Sequence, residues 1–108
     1  MTEAEARAAL IERRDALRAE DRLDEEGRKP VVLDQESVGR LSRMDAMQVQ
    51  AMARALEQRR AAERARIDAA LKRLDEGDWG WCVICGEAIA PPRLAHDPSV
   101  THCIKCAA

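Results

Sequence analysis

Asp78-Trp79-Gly80-Trp81-Cys82-Val83-Ile84-Cys85, and then after seventeen residues Cys103-Ile104-Lys105-Cys106, is the stretch that decides the fold. These two Cys-x-x-Cys pairs contain all four cysteines of the 108-residue chain. A pair at this spacing turns two thiolates toward one metal ion, and a second pair completes a tetrahedron of the kind that Zn2+ takes. The expected ligands are Cys82, Cys85, Cys103 and Cys106, holding one Zn2+ per chain. Four thiolates leave no open position for a reacting water, so the metal is expected to hold structure and do no chemistry. Gly86 directly follows the second ligand, where a metal-binding knuckle needs a residue tolerant of positive φ.

Two other readings of the cysteines fit less well. Paired disulfides suit secreted mini-proteins, whereas the N-terminus Met1-Thr2-Glu3-Ala4-Glu5-Ala6-Arg7 is charged and has no apolar leader core. Redox Cys-x-x-Cys motifs follow a strand in a βαβ pattern, which neither pair does. His96 and His102 lie in the long ligand loop, and either could replace a cysteine; since four thiolates already satisfy the metal, both are expected to be non-ligands.

Upstream of the metal module, Glu76-Gly77-Asp78 reads as a helix end with Gly77 in the C′ position. From about Arg43 to Glu76 there is neither Gly nor Pro, which predicts a second helix of thirty residues or more, roughly 50 Å at the usual rise. Ser42-Arg43-Met44-Asp45 reads as its capping box, although a start at Asp34 is also open. Val49, Met52, Leu56, Ile67, Ala70, Leu71 and Leu74 supply one apolar face, but Gln58 to Arg66 is almost entirely Arg, Glu, Gln and Ala. So thin a seam predicts a helix that lies antiparallel to a shorter partner over one part and stands nearly alone over another. The partner is a first helix from about Glu3 to about Leu23, opened by the capping box Thr2-x-x-Glu5 and seamed by Ala6, Leu10 and Leu17 with Ile11 alongside. Gly27 and Pro30 end it; Val31, Val32 and Leu33 form a short extended piece, and a helical turn from Asp34 follows.

The expected fold is therefore mainly α: an antiparallel two-helix coiled-coil hairpin over 1–76 with its tip around 27–45, followed by a small four-cysteine zinc-finger module over 77–108. Phe and Tyr are absent and Trp79 and Trp81 are the only aromatics, so the metal must stand in for a core that the last thirty residues cannot supply. The tryptophans are expected to cover the metal site or its junction with the helices, with Ile89 and Leu94 as a small core.

Composition also bounds function. In the metal module Asp78, Glu87 and Asp97 oppose only Arg93 and Lys105, and four thiolates add negative charge, which disfavours direct DNA binding. No apolar run approaches the roughly 20 residues of a membrane span, and a cytoplasmic, soluble monomer is expected. There is no nucleophile–base pair, phosphate loop or open metal site to suggest an enzyme.

A long charged hairpin ending in Asp78-Trp-Gly-Trp-Cys-Val-Ile-Cys-Gly-Glu-Ala-Ile89, then Arg93-Leu94, Pro98 and Cys103-Ile-Lys-Cys106, resembles the DksA/TraR family of bacterial zinc-finger transcription factors from about Asp34 to Cys106. The resemblance implies a protein that enters the secondary channel of RNA polymerase, places its coiled-coil tip near the active site and destabilises promoter complexes. The family's tip pattern Asp-x-x-Asp-x-Ala is matched in part by Ser42-Arg43-Met44-Asp45-Ala46-Met47, so Asp45 with Arg43, Met44 and Ser42 is the implied polymerase-contacting set. Simple helix capping is the competing role for Asp45. The resemblance further implies guanosine tetraphosphate at the polymerase interface, with Arg59 and Arg66 at the corresponding positions of helix two. Asp97, however, stands where the responsive members carry Arg, and the family's basic C-terminal helix has no counterpart after Cys106, so anionic phosphates are less welcome here. A reading from a different class is a zinc-stabilised coiled-coil adaptor that binds another protein through Met44, Met47 and Met52.

Overall fold

The computed structural model describes residues 1–27 and 40–107, and for residues 26, 27 and 40–42 the backbone alone. Three helices follow in order: α1 (Glu3–Gly27), α2 (Arg40–Glu76) and the short α3 (Pro91–His96). The Val31–Leu33 piece and the turn expected from Asp34 lie outside the described residues.

Thr2 opens α1. Its hydroxyl oxygen accepts the Glu5 backbone N–H at 3.1 Å, and its hydroxyl lies 3.1 Å from the Glu5 carboxylate, which with Glu3 also favours the positive end of the helix. The helix continues through Gly27, one turn beyond the expected end at Leu23. A tertiary contact explains the extension: Asp24 pairs with Arg60 of α2, which holds the acidic last turn in helical form.

α2 begins at Arg40, so Ser42 lies inside its first turn and is not the N-cap that the sequence suggested. Its other end is a Schellman motif. Asp78 N–H reaches the Arg73 carbonyl at 2.8 Å, Gly77 N–H reaches Leu74 at 3.3 Å, and Gly77 sits at φ 78°. At about 1.5 Å per residue α2 is about 55 Å long, which sets the long axis of a molecule measuring 61 × 28 × 20 Å.

α1 runs antiparallel to α2. Arg7 pairs with Asp75 at 2.8 Å near the metal end, and Arg13 with Glu63 at 2.9 Å farther along. One apolar cluster joins both helices to the metal module: Ala6, Leu10 and Leu17 from α1, Ile67, Ala70, Leu71 and Leu74 from α2, and Trp79, Cys82, Ile89 and Leu94 beyond them. The expected seam of α1 and the expected small core of the module are both in it. Val49, Met52 and Leu56 are not: they share the helical face of Ile67 and Leu74 but are 66%, 66% and 49% exposed. Helical spacing placed them on the correct face of α2, but burial also requires close apolar packing opposite, and among the described residues of α1 it is the exposed Leu23, beside Asp24, that shares a groove with Val49.

Leu17 is fully buried at the far limit of this cluster. Leu17→Ala is expected to lower the unfolding free energy by about 2–5 kcal/mol, read as an earlier thermal loss of helical circular dichroism, while zinc content stays at one per chain.

Candidate metal centre and distal helix face

Backbone hydrogen bonds build the metal centre before any metal is considered. Residues 80–89 fold back on themselves: Ile89 N–H donates to Gly80 at 2.8 Å, Cys82 N–H to Glu87 at 2.8 Å, and Trp81 and Ala88 form an isolated antiparallel bridge. Inside this turn Gly86 N–H donates to the Cys82 carbonyl at 2.9 Å with Gly86 at φ 74°, the positive value that the sequence led us to expect. The second knuckle closes with Cys106 N–H and Ala107 N–H on the Cys103 carbonyl, at 3.1 and 3.0 Å. Val83 N–H on the Thr101 carbonyl, at 2.9 Å, ties the knuckles together.

Cys82, Cys85, Cys103 and Cys106 thereby bring their sulfurs within 4.8 Å of one another; among the described residues they alone form a group of three or more His, Cys, Asp or Glu side chains suited to a metal. The residues fit zinc. A tetrahedron with Zn–S bonds of about 2.3 Å has sulfur–sulfur edges of about 3.8 Å, and Cys85 Sγ lies 3.7 Å from Cys103 Sγ. The site holds one Zn2+ in a four-cysteine shell. His102 is engaged elsewhere, with Nδ1 2.6 Å from the Thr101 hydroxyl.

Thiol acidities show why a cation belongs there. Cys82 is pulled down to about 6, first by the Cys85 backbone N–H and then by that of Cys103. Cys106 is pushed up to about 12, first by its hydrogen bond with the Cys103 side chain and then by desolvation. The Glu87 amide draws Cys85 downward, but Cys82 and burial outweigh it and the thiol is raised. Alone, the cluster accommodates one thiolate readily and resists the next; a divalent cation removes that conflict.

Three further contacts fasten the module. The Trp79 indole N–H donates to the Pro98 carbonyl at 2.9 Å, and Arg93 Nε of α3 donates to the His102 carbonyl at 2.9 Å. Asp97 Oδ1 accepts both the Ser99 backbone N–H, at 3.0 Å, and the Ser99 hydroxyl, at 2.6 Å. Sequence reasoning did not anticipate this role for Asp97, although the Asp-x-Ser spacing was its available signal. Trp79 is buried at the junction as expected, whereas Trp81 is exposed.

At the other end of the rod, Arg43, Met44 and Asp45 are exposed on the first turns of α2, and Ser42 contributes a described backbone only. Met44 and Met47 are neighbours at i, i+3, but Met52 is turned roughly 80–140° away from them, so the three do not make one face. Arg59 and Arg66 are exposed two turns apart. Arg66 lines a groove of about 340 Å3 with Arg13, Glu63, His96 and Asp97, which puts Asp97 beside a residue the resemblance assigned to the nucleotide.

Residues 77–108 match the family described as prokaryotic dksA/traR C4-type zinc finger. The structure is similar to that of transcription factor DksA2 from Pseudomonas aeruginosa, with a TM-score of 0.74 and 30% identity over 97% of this chain and 79% of that one. An uncharacterized protein of Aquifex aeolicus is 32% identical over 95% of this chain and 67% of its own length. The RNA polymerase-binding transcription factor DksA of Haemophilus influenzae is 46% identical over 41 residues, 38% of this chain and 28% of that protein. Among the described residues no helix is long and apolar enough to cross a membrane.

Metal binding must displace the protons that the raised thiols retain. Because Cys85 and Cys106 are raised, apparent zinc affinity is expected to fall as pH drops from 8 to 6.5, with at least two protons released per zinc, as measured by competition with a chromophoric chelator in weak buffer.

Proposed function

This chain belongs to the DksA/TraR family, and from that membership we propose that it regulates transcription by binding RNA polymerase through the secondary channel, where the distal end of the hairpin alters the stability of promoter complexes. The family is one of regulatory factors, so the chain acts by binding and not by catalysis. One observation carries the reading: the likeness to a transcription factor extends over 97% of the chain, rod and metal head together, and is not confined to a common zinc motif.

The geometry suits the task. A zinc-tied head closes one end of the rod, and α2 holds its first turns at a fixed distance from that head. Asp45 is the side chain we assign to the effect. It is exposed in the second turn of α2, and it can accept hydrogen bonds from basic groups of the polymerase. Arg43 and Met44 flank it, and Ser42 precedes it on the same helix. The protein works as a monomer in this scheme.

Guanosine tetraphosphate is not required in this proposal. Of the cations in the groove beside Arg66, Arg13 is already bound to Glu63, and Asp97 adds a carboxylate; Arg59 lies outside that groove. The adaptor reading keeps one observation in its favour, the exposure of Met44 and Met47. Capture of polymerase subunits by the tagged protein supports the channel reading, and capture of a different partner without polymerase supports the adaptor.

Two outcomes are expected from transcription in vitro on a promoter with a short-lived open complex. Asp45→Asn should lose most of the wild-type effect at unchanged polymerase affinity, and equal effects of the two proteins would remove Asp45 from the mechanism. Adding guanosine tetraphosphate should change the wild-type effect by less than about twofold, since the groove offers tetraphosphate little uncompensated positive charge.

A further inference from the structure

Toward its distal end the hairpin changes the way its helices are joined. Among the described residues, no apolar side chain of α1 after Leu17 is buried, nor is any of α2 before Ile67. What joins the helices there is a cluster of four charged side chains. Arg60, only 13% exposed, donates from Nε to Asp21 at 3.0 Å and also pairs with Asp24, while Asp21 additionally takes Arg64. Asp21 is the hub, since it serves both arginines.

We propose that this cluster is a clasp: the last turns of α1, residues 18–27, form an arm that opens separately from the zinc-tied base. The reason lies in how the two kinds of contact fail. Apolar packing weakens gradually and over a broad area, whereas a mostly buried guanidinium that loses its carboxylate is left as an uncompensated charge. A helix end with few buried apolar contacts has little else to keep it in place, so it opens as a local unit below the cost of global unfolding.

The position of the arm gives the opening a consequence. Asp45, Val49, Met52 and Leu56 follow one another at helical spacing and continue into Arg60, Glu63, Ile67, Ala70 and Leu74, the face of α2 that looks toward α1. Val49, Met52 and Leu56 are already largely exposed with the arm in place, so its release newly uncovers the half-buried Ala53, Glu57, Arg60 and Arg64, while the base keeps its register. The clasp governs the exposure of the α2 segment from Ala53 to Arg64.

Amide hydrogen exchange on the zinc-loaded full chain tests this, using Asp21→Asn and Arg60→Gln. Amides of 18–25 and 53–64 are expected to exchange about tenfold faster than in the wild type, with 67–74 and 80–89 unchanged. Wild-type protection in both variants overturns the proposal, and so does an equal loss of protection along the whole hairpin. Should either variant fail to fold, Asp24→Asn keeps Arg60 paired through Asp21 and decides by the same regional comparison: faster exchange confined to the arm and its facing segment supports the clasp, and uniform or unaltered exchange rejects it.

Discussion

Four sulfurs converging on one zinc ion are the constraint from which the remainder of the molecule follows. Among its described apolar residues the module beyond Gly77 buries only Trp79, Cys82, Ile89 and Leu94, far too little to order thirty residues unaided. Metal coordination supplies what the core lacks, and the knuckle hydrogen bonds bring the four sulfurs into one cluster. Cys82 is at once a ligand and a member of the apolar cluster that includes Ile67, Ala70 and Leu74. Coordination is thus mechanically continuous with the base of the hairpin, and the module cannot loosen without disturbing how α1 meets α2.

From that base the molecule grades from apolar to ionic. Near the metal the helices share Leu10, Leu71 and Leu74; beyond Leu17 they share Arg60, Arg64, Asp21 and Asp24. Water reaches both sides of a two-helix rod in a molecule only 20–28 Å across, so a wide apolar seam along its whole length would leave much of that seam wet. Arginine resolves the difficulty by covering the neighbouring helix with its aliphatic stem while its planar head pairs with carboxylates.

Much of this was legible in the sequence, and the limits have physical causes. Cysteine spacing identified the metal site because coordination geometry is local and strict. Gly77 and Gly86 were legible for a similar reason, since each answers a backbone conformation that other residues rarely adopt. The boundaries at Gly27 and Arg40 were not, because Asp24 is held by a residue thirty-six positions away and local propensity knows nothing of Arg60. The exposure of Val49, Met52 and Leu56 was hidden likewise: the period of a helix reveals which side faces inward, but only the register of the pair reveals what waits opposite. Ser99 was passed over because one buried hydroxyl satisfied by a side chain two residues away leaves no periodic trace.

The unequal placement of the two tryptophans has a practical corollary. With Phe and Tyr absent, all near-ultraviolet absorption of the chain comes from Trp79 and Trp81. One indole is enclosed at the joint between rod and head with its N–H on the Pro98 carbonyl, and the other faces solvent two residues away. The protein therefore carries an intrinsic optical gauge at its structural joint, with a buried emitter that registers the joint's integrity and an exposed one that serves as its internal reference.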